Sequence, residues 1–187
     1  MSAFTSDAQV LRFGAEKVRP QGRAAGGMAR INLTRAARVV FFGAVDLRLK
    51  DGEWASVVVT ISGSSGALPG TETGAAKTTP LAEYPGKGRA TGGVRCHRLL
   101  KGEDGLILAW AGPAPALAAA PTGVAVSLPV PDSRRDGSGV PLDHPVTAIG
   151  GPVAQAATAA SRAGGAPIDL AGAEGADGPD DDGMLPI

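Results

Sequence analysis

Cysteine is almost missing from this 187-residue chain, which has one, Cys96. A single thiol excludes an internal disulfide and any multi-cysteine metal centre, and it fits a reducing compartment. Histidine is nearly as scarce, with His97 and His144 alone, and neither belongs to a Ser/His/Asp nucleophile signature. Aromatic residues make up 4%, so a core must be built from small and aliphatic side chains. The longest apolar stretch, LILAWAGPAPALAAA from Leu106 to Ala120, is broken by two prolines and is too short for a bilayer. The opening residues MSAFTSDAQVLRF lack the basic region and apolar run of a secretory signal. No segment before residue 145 has a helical period. The absences leave a cytoplasmic, β-rich protein with no cofactor and no metal as the expectation.

What the chain has in quantity is glycine (28) and proline (15), the residues of short strands joined by turns. LRLKDGEWASVVVTI reads as a hairpin, with Asp51-Gly52 as the tight turn and Val57 to Ile61 as a buried strand. VRCHRLLKGEDGLILAW repeats that pattern with a longer loop. In Val94 to Leu99 the alternation places Val94 and Cys96 inside and Arg95 and His97 on a basic face in water. Cys96 and His97 then point to opposite faces, a poor metal-ligand pair.

The net charge of zero conceals a segregation. Residues 1–145 hold 17 Lys/Arg against 12 Asp/Glu, whereas 146–187 hold one arginine and six acids. Between 12 and 38 there are seven bases and one acid. A basic body with an acidic tail suggests a polyanionic partner; a solvated charged face is the plainer reading. The tail is Ala/Gly/Pro-rich and free of aromatics, so it buries too little to offset its ordering entropy. The expected domains are a repeat domain over 1–145 and a disordered acidic tail over 146–187.

One phrase occurs twice. PQGRAAGGMARINL (Pro20 to Leu33) returns as GKGRATGGVRCHRLL (Gly86 to Leu100) at an offset of 66 residues. Without a gap the alignment carries Val40-Phe41-Phe42 onto Leu106-Ile107-Leu108. A third, shorter copy, RDGSGV, keeps arginine, glycine four residues on and an apolar residue next, at Arg135, Gly139 and Val140. Its offset from Arg89 is 46. The longer first interval contains a turn-rich stretch, Gly63 to Pro80, that reads as an inserted loop. A unit of about 45 residues is the size of one four-stranded propeller blade, so the predicted fold is all-β and propeller-like, with about three blades.

Arg23 and Arg89 each sit in a glycine-rich turn leading into a strand. A guanidinium beside exposed backbone N–H groups suits a phosphate oxygen. Repeated around a rim, such turns would hold and bend a duplex by its backbone, with little reading of bases. Arg19, Arg30, Arg35, Arg38, Lys87, Arg95, Arg98 and Lys101 lie in the same repeats and would widen the patch, with Arg135 in the third copy. The other reading makes each repeated arginine a clamp between neighbouring blades, within a protein-interaction module. Spacing alone leaves both open.

VLRFGAEKVRPQGRAAGGMARINL and AKTTPLAEYPGKGRATGGVRCHRLL resemble the blade repeats of the C-terminal β-pinwheel domain of the type IIA DNA topoisomerase A subunit, the family of DNA gyrase and topoisomerase IV. That family carries a Gly-Arg-x-x-x-Gly-Val phrase, here Gly88 to Val94, preceded by a Lys-(x)-Thr-Pro-Leu-x-Glu-(Phe/Tyr)-Pro strand, here Lys77 to Pro85. The resemblance spans about residues 8–142. It implies a propeller-like disc whose basic rim binds and bends duplex DNA, with the catalytic part of the A subunit as protein partner and a nucleoid-associated, cytoplasmic location. The Gln-Arg-Arg-Gly-Gly-Lys-Gly wrapping motif of gyrase is absent, so the topoisomerase IV type is nearer. Family discs carry five or six blades, more than this chain has room for. The one tyrosine, Tyr84, does not match the family's catalytic tyrosine, which implies a module without cleavage activity of its own.

Two further motifs are weak. GTETGAAKTT (Gly70 to Thr79) lacks a glycine next to Lys77 and a following helix, so it is a poor phosphate loop. DGPDDDG (177–183) lacks the terminal glutamate of a calcium loop; as a solvated acidic terminus it would compete with DNA for the rim.

Overall fold

The computed structural model describes residues 1–29, 31–45, 56–68, 70–88 and 90–152. Among them the regular elements are eleven strands and two single-turn 3-10 helices, Ala15–Lys17 and Leu81–Glu83. Strands β1 (Ser2–Thr5), β2 (Gln9–Arg12), β3 (Val39–Gly43) and β6 (Val94–Arg95) form the first sheet, in the order β3-β1-β2-β6. The second consists of β4 (Ser56–Gly63), β5 (Ala75–Pro80), β7 (Gly105–Pro113) and β10 (Val140–Pro141), ordered β10-β5-β4-β7. In the third, β8 (Leu117–Ala119), β9 (Ala125–Val126) and β11 (Ala148–Gly150) are ordered β11-β8-β9. Every pairing in these sheets is antiparallel. This is the propeller-like, all-β architecture expected from the repeat.

The second sheet explains how so few aromatics suffice. Its central strand β4 is a β-branched run that suits a strand buried on both faces. Val58 faces the first sheet, in a core with Phe4, Val10, Tyr84, Cys96 and Leu106. Val59 and Ile61 face the third sheet, in a core with Ala76, Ala118, Val126 and Val146. Alternation along one strand thus feeds two cores. Full burial of each such side chain contributes about 1.5–3 kcal/mol relative to exposure. On the third-sheet side the core mixes valine, leucine and isoleucine with the small Ala76, Ala118 and Ala120.

The outer strand of each four-stranded sheet comes from the following repeat. β6 leaves the second repeat and pairs with β2 of the first, setting Val94 opposite Val10 and Arg95 opposite Gln9. β10 leaves the third repeat and pairs with β5 of the second, setting Val140 opposite Ala76 and Pro141 opposite Ala75. The short third copy of the phrase therefore does the same structural job as the second.

This exchange accounts for the glycine four residues after the arginine. A Cβ on Gly93 would stand 2.8 Å from the Val10 carbonyl oxygen, and one on Gly139 would stand 2.7 Å from the Ala75 carbonyl. Only glycine lets the donated strand lie so close to its host.

The Asp51-Gly52 turn falls outside the described residues, whereas Val57 to Ile61 lie in β4 as expected. Several expectations need correction. Of the stretch read as an inserted loop, Ala75–Pro80 form β5 inside the second sheet, and the second expected hairpin does not form, since β6 and β7 lie in different sheets. Regular pairing of the Val94 strand ends at Arg95, not Leu99. The ordered fold also runs past residue 145: Val146 is buried, and Ala148–Gly150 pairs with β8. Most of the segment read as a tail, from residue 153 onward, lies outside the described residues. No helix among the described residues is long and apolar enough to cross a membrane.

Candidate nucleic-acid interface

Each copy of the phrase closes the same turn. The Ala25 N–H donates to the Gly22 carbonyl (3.1 Å), the Thr91 hydroxyl to the Gly88 carbonyl (2.7 Å), and the Gly137 N–H to the Arg134 carbonyl (3.1 Å). The second position of these turns is arginine in every copy: Arg23, Arg89 and Arg135. The side chains of Arg23 and Arg135 are exposed; Arg89 and Arg30 lie outside the described residues.

A second repeated turn follows each donated segment in the first two repeats. The Ala37 N–H donates to Thr34 (3.1 Å) and the Glu103 N–H to Leu100 (3.0 Å), placing Arg35 and Lys101 at the equivalent, exposed position. Between the turns of the second repeat, Arg95 and Arg98 are exposed on either side of buried Cys96 and His97. Arg38 is exposed just before β3, its N–H donating to the Ser6 hydroxyl at 3.1 Å. Arg19 is exposed after the first 3-10 turn, and Lys87 is half-buried, with its N–H on the Arg12 carbonyl at 2.8 Å.

The three turns are joined. The Asn32 N–H donates to the Thr91 carbonyl (3.1 Å), and the equivalent Arg98 N–H donates to the Gly137 carbonyl (2.9 Å). The segment after each of the first two phrases thus holds the turn of the next, and Arg23, Arg35, Arg95, Arg98, Lys101 and Arg135 lie in or beside these hydrogen-bonded turns.

Sequence reasoning missed the cations that do clamp the fold. The Arg12 guanidinium donates through Nη1 to the carbonyls of Leu81 (3.1 Å) and Tyr84 (2.8 Å), tying the first sheet to the second 3-10 turn. Lys77 is buried in β5, and its ammonium donates to the carbonyls of Arg134 (3.1 Å) and Arg135, fixing the third arginine turn from inside. Burial pulls the Lys77 ammonium down to about 8, against opposing attraction from Cys96, Asp132 and Asp136. A lysine inside such a strand cannot serve a phosphate loop. No local signal marked them: Lys77 lies in the stretch read as an inserted loop, and the carbonyl partners of both lie 57 residues or more away in sequence.

Arg12→Met should lower unfolding stability by about 2 kcal/mol, because two carbonyls lose a charged donor. Urea unfolding at neutral pH measures it; an unchanged midpoint would remove the clamp role.

His97 also departs from expectation. It is 1% exposed, not solvated, and Nδ1 shares a 2.9 Å hydrogen bond with the Thr60 hydroxyl. Burial first, and the nearby Lys77 charge second, push its imidazole down to about 4. Burial likewise raises the Cys96 thiol to about 12, so it stays an unreactive thiol at neutral pH. Among the described residues no cluster of three metal-ligating side chains occurs.

A family model described as the DNA gyrase C-terminal domain, β-propeller, matches residues 3–46 and 70–107. The chain resembles the C-terminal β-pinwheel of the type IIA topoisomerase A subunit. The two matched stretches contain the first two copies of the phrase. The crystal structure of the C-terminal domain of DNA topoisomerase IV shares the fold, with a TM-score of 0.57 over 80% of this chain at 16% identity. The present chain spans 45% of that domain's length. No curated protein sequence matches it.

Proposed function

We propose that this β-pinwheel binds duplex DNA through its arginine-bearing periphery and bends it, as a C-terminal module of a type IIA topoisomerase A subunit. The observation that carries the reading is the linked series of turns, joined by hydrogen bonds from Asn32 to Thr91 and from Arg98 to Gly137, with Arg23 and Arg135 exposed at its two ends. Guanidinium groups at repeated intervals suit the repeated phosphates of a duplex, and their contacts carry little base information. The alternative role for the phrase arginines, clamping blades within a protein-interaction module, is weakened by two facts. Arg23 and Arg135 are exposed, and the clamping is done by Arg12 and Lys77. The module has no cleavage chemistry of its own in this reading, its protein partner is the catalytic part of the A subunit, and its place is the cytoplasmic nucleoid. The acidic residues from Asp169 onward would compete with DNA for the same rim.

The test is duplex binding titrated at several salt concentrations. If roughly six phosphates are contacted, log K should fall against log salt with a slope of about −5. Arg23→Ala with Arg135→Ala should weaken binding to all sequences alike and make the slope shallower by about 2. Unaltered affinity in a folded double variant would end the phosphate-contact role.

A further inference from the structure

The third sheet has an edge of the kind that the first two sheets fill. In the first sheet β2 follows Ala8 at φ 58°, in the second β5 follows Gly74 at φ 68°, and β9 follows Gly123 at φ 82° by one residue. The hairpins correspond: the Ala8 N–H donates to Thr5, as the Gly123 N–H donates to Ala120. In the first two sheets the donated segment caps this corner, with the Cys96 N–H on the Ala8 carbonyl (2.9 Å) and the Leu142 N–H on the Gly74 carbonyl (3.0 Å). The host residues opposite the donated valines, Val10 and Ala76, are buried to 1% and 0% exposure. Their counterpart in β9, Ala125, is exposed, and its neighbour Val124 is 58% exposed.

The chain also carries a donor of the matching kind. In the first repeat the phrase reaches Gly27-Met28, the positions of Gly93-Val94 and Gly139-Val140. Residues 22–27 are exposed, and a Cβ on Gly27 would meet nothing within 4 Å, where Gly93 and Gly139 meet host backbone. We propose that the β9 edge of one copy accepts the Met28 segment of a second copy of this chain, so that two copies close head to tail into one disc.

The observed register fixes the contacts. Met28 lies opposite Ala125 and Ala29 opposite Val124, as Val94 lies opposite Val10 and Arg95 opposite Gln9. The His144 N–H meets the Ala25 carbonyl, repeating the bonds from Asn32 to Thr91 and from Arg98 to Gly137. The occupant is a second copy because the chain's own donor is held elsewhere. Asn32 and Ile31 bind it to Thr91 beside the first sheet, while the second sheet lies between the first and the third. A donor and an acceptor on each copy make a heterologous contact that closes when the rotation is two-fold. The inference does not depend on DNA binding.

Two variants of the full chain separate the halves of the junction. The Val124 carbonyl accepts from Ala120, so the polar groups of Ala125 point to the free edge, and Ala125→Pro removes the N–H there. On the donor side Met28→Pro removes the N–H that would pair with Ala125, whereas any side chain at Gly27 is strained by its φ of 84° alone. Sedimentation equilibrium across a dilution series should give wild type a mass twice the 18.6 kDa of the chain, and each variant alone a single mass. An equimolar mixture of the two should regain the double mass, because one junction per pair joins an intact donor to an intact acceptor. That rescue also shows that both variants are folded. A wild type of single mass overturns the proposal, whatever segment covers the edge. So does a double mass that persists in both variants, or a mixture that does not regain it.

Discussion

Gly93→Val should cost about 3 kcal/mol of unfolding stability, at the upper end of the range for forcing extra atoms into a packed site. The magnitude follows from what the new side chain meets. Its Cβ would stand 2.8 Å from the Val10 carbonyl oxygen and 2.9 Å from the Gln9 Cβ. The carbonyl belongs to the partner strand and cannot swing aside as a flexible side chain would. The donated strand must then leave the first sheet, uncovering Val10 and loosening the Cys96 bond to Ala8. Gly139→Val should do the same to the second sheet through Ala75. Gly92→Ala is the control. Nothing lies within 4 Å of its Cβ position, and alanine there should change stability by no more than about 0.5 kcal/mol. Urea unfolding of the three variants decides the matter; equal midpoints for Gly93→Val and Gly92→Ala would mean that strand donation contributes little to the fold.

The same glycine shows how far the sequence could be read. The phrase, its three copies and a blade-sized repeat were legible, because turn chemistry and apolar spacing are local properties. Which sheet each copy joins was not. Spacing places Gly93 before a strand but does not say that the strand leaves its own repeat, and only the approach to Val10 explains why the position is glycine. His97 was misread for a related reason. Period-two alternation holds while a strand stays in register, and pairing here ends at Arg95, after which the backbone turns to bond Ala8 and brings Cys96 and His97 both inward. The boundary at 145 failed on composition. Ala148–Gly150 has the composition of a tail, yet it pairs with β8, and a Cβ on the next residue, Gly151, would stand 2.8 Å from the Trp110 ring. The basic periphery was legible as residue types, whereas Arg12 and Lys77 became recognisable as clamps only once their carbonyl partners were in place.

His97 carries the second large expectation, a loss of stability on acidification well above the usual carboxylate range. Its imidazole is neutral in the fold and resists protonation down to about 4, against an ordinary value of 6.5. Between those values the unfolded chain takes up a proton that the native state refuses. Stability is therefore full above pH 6.5 and falls as the pH drops towards 4, by about 3 kcal/mol over the whole window. Lys77 does not blur this, because its pKa of about 8 leaves it charged in both states throughout. Asp104, held below its ordinary 3.8 by the Ser65 hydroxyl and N–H, loses its contribution only at lower pH. The cause is the site itself: Nδ1 is engaged by Thr60, while Nε2 is buried with no partner among the described residues, so an added proton there would have no acceptor and would sit near the Lys77 ammonium. Urea unfolding at pH 7.5 and 4.5 should show the drop in the wild type and a much smaller one in His97→Gln, which cannot titrate. If both proteins lose the same stability, the acid sensitivity belongs to other groups, and the buried imidazole is tolerated by the fold without governing it.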